Sequence, residues 1–409
     1  MKRVQTLLFQ SISSGIILLL VALSAVDTTA CTTAVISGRF TKNGRPMLWK
    51  IRDTEEYDNH IRRFDSFMGT YVALVNDNDI SGDQVWGGHN SHGFGIMNSA
   101  SFNVNTGYHG DLKDQEGYIM KRALEECQTL ADFEALLDNL PKPMGLASHF
   151  GVIDADGGAA FYEVNNETWT KFDANEDTRG YILRTNYSET GVENKGYGYV
   201  RMQCASKLFS ELFSGELTIS LLGSDMSRSM YHGLMGVDYR ELAVSDMLPS
   251  VSGFLDTDDL LTRYSTSSMI LIEGVQWHED PELTTTWVQI GNPYLTPIIP
   301  VWTDREVPSE LQKGYGRATL ASNAKKLKKY LYPLRTIEEE RYLYMPLIYR
   351  PDGNGLAQKL AEIEAEYIEK IDESTSLSTR HRLQRELIEK GMQLQEQALQ
   401  EAEWCDEMR

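Results

Sequence analysis

The spacing of apolar residues changes along this chain, and each change predicts a different kind of element. Directly after the first apolar stretch, the run TTAVISG, the turn KNGRP and the run MLWKI predict a β-hairpin that begins at Cys31. The runs TYVALVN and GFGIMNSASF continue the same pattern of short apolar segments and turns. Residues 31–110 are therefore predicted to form strands and turns.

A helical period replaces this pattern over residues 115–140, where an apolar stripe runs until Pro141 and Pro143. Strands resume in ASHFGVIDADGGAAFYEV and GYILRTN, and a helix is predicted over Val200–Phe213. The runs SSMILIEGV and TTTWVQIG then predict a further pair of strands. This order of strands and helices predicts sheets packed between helical layers.

The C-terminal part of the chain differs from the rest in composition. From Gly355 onward it is rich in Glu, Lys, Leu and Gln, with a break near Ser374–Ser378. This composition predicts two helices, which we treat as a helical extension over residues 351–409.

The N-terminus has the pattern of a secretory signal peptide over residues 1–30. A basic start and an apolar core at 15–23 precede Thr28 and Ala30, small residues at −3 and −1 of a cut before Cys31. The core is short for a membrane span. We expect an exported protein, periplasmic or extracellular after cleavage. A lipoprotein signal that lipidates Cys31 is the alternative, and Thr28 in place of the usual Leu disfavours it.

Charge and cysteine content narrow the functional classes. The net charge of −20 disfavours binding to nucleic acid, whose phosphates an acidic surface repels. With four cysteines the chain is not a disulfide scaffold, and a Cys127–Cys204 bridge is compatible with the sequence without following from it. His89 and His92 lack the further ligands that zinc needs, so neither a metal nor another cofactor is expected.

Cys31 is the main candidate for chemistry. As the first residue of the mature chain it would carry a thiol and its own α-amine, whose ordinary pKa is about 7.7–8. Such an amine can accept the thiol proton, so nucleophile and base lie in one residue. The strand LWKIRD ends in Asp53, which a hairpin returns toward Cys31, where its carboxylate could orient the amine. An ordinary turn aspartate is the alternative interpretation.

These residues resemble the N-terminal-nucleophile (Ntn) hydrolases of the choloylglycine hydrolase and acyl-coenzyme A:6-aminopenicillanate acyltransferase group, which includes penicillin V acylase. Members open with Cys-Thr, as Cys31 and Thr32 do here, and later carry a strand ending in Arg-x-x-Asp. By this resemblance Asp53 contacts the amine of the nucleophile. The family arginine falls on Lys50, with Arg52 as a substitute.

Further segments between Cys31 and Trp302 are similar to the same group. The segment GHNSHGFGIMNSASFN implies that Asn98 contributes to an oxyanion site, and LRTN implies that Asn186 donates to the oxyanion. Arg201 matches an active-site arginine of the group, and Arg263 competes with it for that position.

The resemblance implies an α+β fold, the four-layer αββα sandwich of Ntn-hydrolases, over residues 31–350 and followed by the helical extension. It implies cleavage of linear amide bonds in small-molecule N-acyl amides through a thioester, without a cofactor. Three alternatives stay open: an acyltransferase of the same group, a dipeptidase that begins Cys-Thr, and a lipidated surface protein without activity. The acyl group, the amine and the oligomeric state are not determined by the sequence.

Overall fold

The structure is a computed structural model that describes residues 30–107, 114–248, 252–314, 318–334, 336, 339–374 and 376–407. Apart from Ala30, the predicted signal peptide lies outside the described residues, so its prediction is not tested.

Two large antiparallel sheets dominate the described part of the chain. The strands, in chain order, are β1 (Cys31–Ile36), β2 (Met47–Asp53), β3 (Asn59–Ser66), β4 (Gly69–Asn76), β5 (Gly87–Asn90), β6 (Gly95–Ala100), β7 (Ser148–Ile153), β8 (Ala159–Val164), β9 (Trp169–Asp173), β10 (Tyr181–Arg184), β11 (Tyr231–His232), β12 (Val237–Asp238), β13 (Phe254–Asp256), β14 (Thr266–Glu273), β15 (Thr285–Ile290), β16 (Ile299–Val301) and β17 (Tyr342–Tyr344).

Seven α-helices lie in the described part of the chain. The α-helices are α1 (Glu116–Glu126), α2 (Leu130–Asp138), α3 (Tyr199–Ser210), α4 (Tyr239–Val244), α5 (Thr319–Leu331), α6 (Leu356–Asp372) and α7 (Leu377–Glu407). A π-helical segment, Ser220–Asp225, and short 3₁₀ turns lie between them. None of the described helices is both long enough and apolar enough to cross a bilayer.

The six-stranded sheet has the order β10-β1-β2-β14-β15-β16, and the seven-stranded sheet runs β3 to β9 in chain order. The hairpin predicted at Cys31 is confirmed, since β1 and β2 pair antiparallel with Cys31 opposite Arg52 and Thr33 opposite Lys50. The predicted strand pair near residues 268–290 is confirmed as β14 and β15, and β14 also pairs with β2. These pairings place β1 and β2 inside the sheet.

The two sheets pack face to face, with helices on both outer faces. Thr33 and Ser99 hydroxyls meet across the interface at 3.4 Å, and His89 Nδ1 lies 2.7 Å from Thr286 Oγ1. Helices α1 and α2 cover the seven-stranded sheet through an apolar core that includes Phe133. Helices α3, α6 and α7 pack on the six-stranded sheet. The predicted αββα layering is confirmed.

The predicted helix over residues 115–140 is two helices in the structure. The Thr129 side chain accepts from the backbone of Asp132, whose carboxylate in turn accepts from the backbone of Thr129. This capping box satisfies the free N–H groups of a new helix start, so the helix restarts there although the apolar stripe continues. Cys127 belongs to the core beneath this pair of helices, whereas Cys204 belongs to the core on the other side, and both are free thiols.

The C-terminal helices belong to the main core and are not a separate layer on its surface. Ile368 and Leu387 pack in the same apolar cluster as the six-stranded sheet. Glu364 of α6 is fully buried and forms an ion pair with Arg228, the two groups meeting at 2.6 and 2.7 Å. Arg228 also donates to the Pro293 and Thr296 carbonyls. The extension thus supplies the countercharge of a cation inside the protein.

We predict that Glu364→Gln destabilises the fold by about 3–5 kcal/mol, because it leaves the buried Arg228 charge without its anion. Thermal unfolding monitored by circular dichroism measures the change. Glu366→Gln is the matched control, since Glu366 lies on the same helix in an exposed pair with Lys370. Equal melting temperatures for both variants would contradict the structural importance of the buried pair.

Candidate active site

Cys31 lies at the first position of β1, in the interior of the six-stranded sheet and only 8% exposed. Residues directly opposite in an antiparallel pair project to the same face, so Cys31 projects with its partner Arg52. Lys50, two residues earlier, shares that face because side chains alternate along a strand. This face meets the other sheet, since Arg52 Nη2 donates to Asn76 Oδ1 at 2.8 Å.

The backbone around Cys31 is held by three of the residues predicted for the site. The backbone nitrogen of Cys31 donates to Asn186 Oδ1 at 2.9 Å, and its carbonyl accepts from Arg201 Nη1 at 2.6 Å. The backbone N–H of Asp53 donates to the Ala30 carbonyl at 2.8 Å. The fold therefore brings Asp53, Asn186 and Arg201 to the N-terminal end of β1.

Asn186 is fully buried just after β10, with its side-chain amide oriented by its partners. Its oxygen accepts from Cys31 N and also from Arg201 Nη2 at 2.8 Å, while its Nδ2 donates to the Ala100 carbonyl at 2.9 Å. An amide nitrogen carries two hydrogens, and the bond to Ala100 uses one of them, so the Asn186 side chain has a second N–H that can donate. Its predicted oxyanion role stays a prediction.

The Asp53 carboxylate projects to the opposite face of the sheet from Arg52. Thr266 Oγ1 donates to one of its oxygens at 2.6 Å and Arg263 Nε donates to the other at 2.7 Å. Thr266 is the cross-strand partner of Asp53 in β14, which explains why the hydroxyl and the carboxylate meet. Arg201 and Arg263 were alternatives for one predicted position. In the structure both lie near the site, where Arg201 contacts the Cys31 carbonyl and Arg263 contacts the Asp53 carboxylate. The predicted contact of Asp53 with the amine stays a prediction.

The charge of a thiolate at Cys31 raises the pKa of four cations, Lys50, Arg52, Arg201 and Arg263. Burial has a larger, opposite effect on all four. It lowers the pKa of Lys50 to about 8 and the pKa of both Arg52 and Arg201 to about 10. For Arg263 burial is again the largest single effect, but the charge and hydrogen bond of Asp53, together with the charges of Asp258 and Cys31, exceed it, so the pKa of Arg263 is raised. Four cations and the Asp53 carboxylate therefore lie within electrostatic range of one another around the start of β1.

Asn98 lies in β6 of the opposite sheet and contacts Lys50 instead of the backbone of Cys31. Its Oδ1 accepts from Lys50 Nζ at 2.7 Å, and its Nδ2 donates to Glu116 Oε2 at 2.6 Å. Sequence reasoning missed Glu116, which stands at the start of α1, where an acidic residue is ordinary. It also missed Thr266. Both contacts depend on long-range packing that carries no local signal.

No family model matches this chain, and no curated protein matches it. Among solved structures the chain is similar to penicillin V acylase from Agrobacterium tumefaciens, at 12% identity and a TM-score of 0.36, over 67% of this chain and 87% of that one. It is also similar to a mutant of conjugated bile acid hydrolase from Clostridium perfringens, at 14% identity and a TM-score of 0.35, over 68% of this chain and 93% of that one.

A third similar structure is penicillin G acylase from Alcaligenes faecalis, at 8% identity and a TM-score of 0.35, over 91% of this chain and 77% of that one. Similarity at this level assigns no activity to the chain. The solved structures to which this chain is similar include penicillin V acylase and conjugated bile acid hydrolase, members of the group that the sequence resembles.

Proposed function

We propose that removal of residues 1–30 makes Cys31 the N-terminal nucleophile of an exported amidohydrolase of the choloylglycine hydrolase and penicillin acylase group. It cleaves linear amide bonds of small N-acyl compounds. The observation that carries the proposal is the position of Cys31. A buried cysteine at the start of an interior strand has its backbone nitrogen in contact with Asn186 and its carbonyl in contact with Arg201, and its side chain shares a face of the sheet with Arg52.

The reaction begins when the neutral α-amine of Cys31 accepts the thiol proton. The thiolate attacks the carbonyl carbon of the substrate, and the carbonyl electrons move to oxygen. The protonated amine then gives its proton to the leaving nitrogen as the C–N bond breaks. This leaves an acyl thioester on Cys31, which water hydrolyses to the free acid and the thiol. An added amine in place of water would make the same protein an acyltransferase.

Preorganised donors stabilise the charge that develops on the carbonyl oxygen. We assign the second N–H of Asn186 to this oxygen, because the first is held by Ala100 and the side chain is oriented by Arg201. Asn98 lies across the sheet interface, where its Oδ1 accepts from Lys50 Nζ. Among the described residues no group of acidic, histidine or cysteine side chains is arranged to hold a metal ion. The proposed steps use only the residues of the chain.

We predict that Cys31→Ser lowers kcat/KM for the best substrate by more than about 10³-fold, because a hydroxyl ionises far less readily than a thiol. Release of amine from a panel of N-acyl amides measures the rate. Cys127→Ser is the matched control, since Cys127 is also buried and free but lies in the other core. If Cys31→Ser cleaves amides as fast as the parent, another residue is the nucleophile and the proposal is wrong.

The uncut precursor should be inactive, because the nitrogen of Cys31 is then a peptide nitrogen without basicity. A precursor whose cleavage site is blocked by substitution of Ala30 is compared with the mature protein in the same assay, and mass spectrometry verifies both N-termini. The same spectra would reveal a lipid on Cys31 and so decide between an enzyme and a lipidated surface protein. Equal turnover by a verified precursor contradicts the mechanism.

Asp53 and Asn186 should differ in their effect on pH dependence. Asp53→Asn removes a charge near the amine, so it should lower the rate and move the pH–rate profile. Asn186→Ala removes an uncharged donor, so it should lower the acylation rate by roughly 10²–10³-fold with little movement of the profile. Acylation rates between about pH 5 and 9 test both expectations. A moved profile in Asn186→Ala alone would reverse the two assignments.

A further inference from the structure

A buried polar connection links the site to the first residue of helix α1. Lys50, Asn98 and Glu116 are all buried, with exposed fractions of 1%, 3% and 5%. Lys50 Nζ donates to Asn98 Oδ1 at 2.7 Å and to the Trp86 carbonyl at 3.0 Å, and Asn98 Nδ2 donates to Glu116 Oε2 at 2.6 Å. The three side chains come from different layers, so the connection crosses from the six-stranded sheet to the outer helix.

The connection has one polarity, set by which atoms can donate. An ammonium has only donors, so it requires the oxygen of Asn98. This orients the Asn98 amide nitrogen away from Lys50 and toward Glu116, whose carboxylate accepts. If the amide of Asn98 were reversed, its nitrogen would face the ammonium of Lys50, donor against donor. Its oxygen would then face the carboxylate of Glu116, acceptor against acceptor. Glu116 therefore fixes the orientation of Asn98, and Asn98 fixes the ammonium.

The need for such a device follows from the residue type at position 50. A guanidinium holds its orientation through a planar fork of donors, whereas an ammonium is a point charge on a flexible stem. Lys50 loses that stem freedom only if its charge has fixed acceptors. The two acceptors that the structure provides are a backbone carbonyl and Asn98, and only Asn98 can be oriented from elsewhere.

We propose that Glu116 is a positioning residue that acts through Asn98 to hold the charged ammonium of Lys50 beside Cys31. The proposal goes beyond the function assigned above and rests on it, since it takes Cys31 as the nucleophile. Glu116 itself touches neither the thiol nor the substrate.

The charges around Lys50 agree with this role. The groups that face it are the Cys31 thiol and Arg52 from the sheet and Glu116 from the helix. Burial, the largest effect, and the charge of Arg52 together lower the pKa of Lys50 to about 8, against the anionic forms of Cys31 and Glu116, which raise it. Burial and the neighbouring Asp114 raise the pKa of Glu116 to about 8, against the hydrogen bonds from Asn98 and Ser148 and the charge of Lys50. Each ion therefore favours the other.

The sign of the expected change follows directly. Glu116→Gln keeps a hydrogen-bond acceptor of the same size but removes the anion that favours charged Lys50. Lys50 should then lose its proton at lower pH, and the alkaline limb of kcat/KM should move to lower pH with it. If Glu116 had a purely structural role, Glu116→Gln would lower the melting temperature. The midpoint of the Lys50 titration and the alkaline midpoint of kcat/KM would then stay unchanged.

The experiment is an NMR titration of the mature protein labelled with ¹³C-lysine, which follows the Cε signal of Lys50 and assigns it by its loss in Lys50→Met. We expect a lower Lys50 midpoint in Glu116→Gln than in the parent. Glu125→Gln is the matched control, because Glu125 lies on the same helix but binds Tyr71 and Lys121. The Lys50 midpoint in this variant should equal that of the parent. An unchanged midpoint in Glu116→Gln overturns the proposal.

If Glu116→Gln does not fold, Asn98→Leu replaces it, since this variant breaks the connection without altering any charge. It should also lower the Lys50 midpoint, and an unchanged midpoint overturns the proposal as well. The titration needs no substrate, so the two proposals are separable. A shifted Lys50 midpoint in a protein that cleaves no amide supports the positioning role of Glu116 and contradicts the proposed amidohydrolase activity. Amide cleavage with an unshifted midpoint does the reverse.

Discussion

The structure depends on compensating several positive charges that are buried close to one sulfur atom. Lys50 and Arg52 project between the sheets, while Arg201 and Arg263 approach from the outer face, and burial lowers the pKa of Lys50, Arg52 and Arg201. Each cation is tied to fixed acceptors: carbonyls, amide oxygens or the Asp53 carboxylate. The alternation of side chains along β2 places Lys50 and Arg52 on one face of the sheet and the Asp53 carboxylate, which binds Arg263, on the other.

Much of the fold could be predicted because its signals are local. The turn KNGRP between apolar runs was sufficient to predict the β1–β2 hairpin, and the break near Ser374 separated the two C-terminal helices. The division of the helix near Thr129 also has a local signal, the spacing of Thr129 and Asp132, but the continuous apolar stripe obscured it. Period and composition therefore predicted the elements better than their ends.

The candidate site could be predicted only as far as the resemblance reached. Cys31, Asp53, Asn186 and Arg201 were each named from motifs, and the fold brings them together at the end of β1. The acceptors and donors that hold them were not predictable. Thr266 meets Asp53 only because β14 pairs with β2, and Glu116 meets Asn98 only because α1 packs on the second sheet. Such contacts depend on which layers become neighbours, which no local pattern encodes.

The buried pair of Arg228 and Glu364 has a consequence for the order in which the chain can assemble. Ribosomes synthesise Arg228 long before Glu364, and Gln395, whose side chain donates to the Leu295 and Leu320 carbonyls, follows later still. While the last helices are missing, the guanidinium has no anion and the interior cannot close around it without a large penalty. The six-stranded sheet therefore completes its packing only once α6 and α7 have been synthesised.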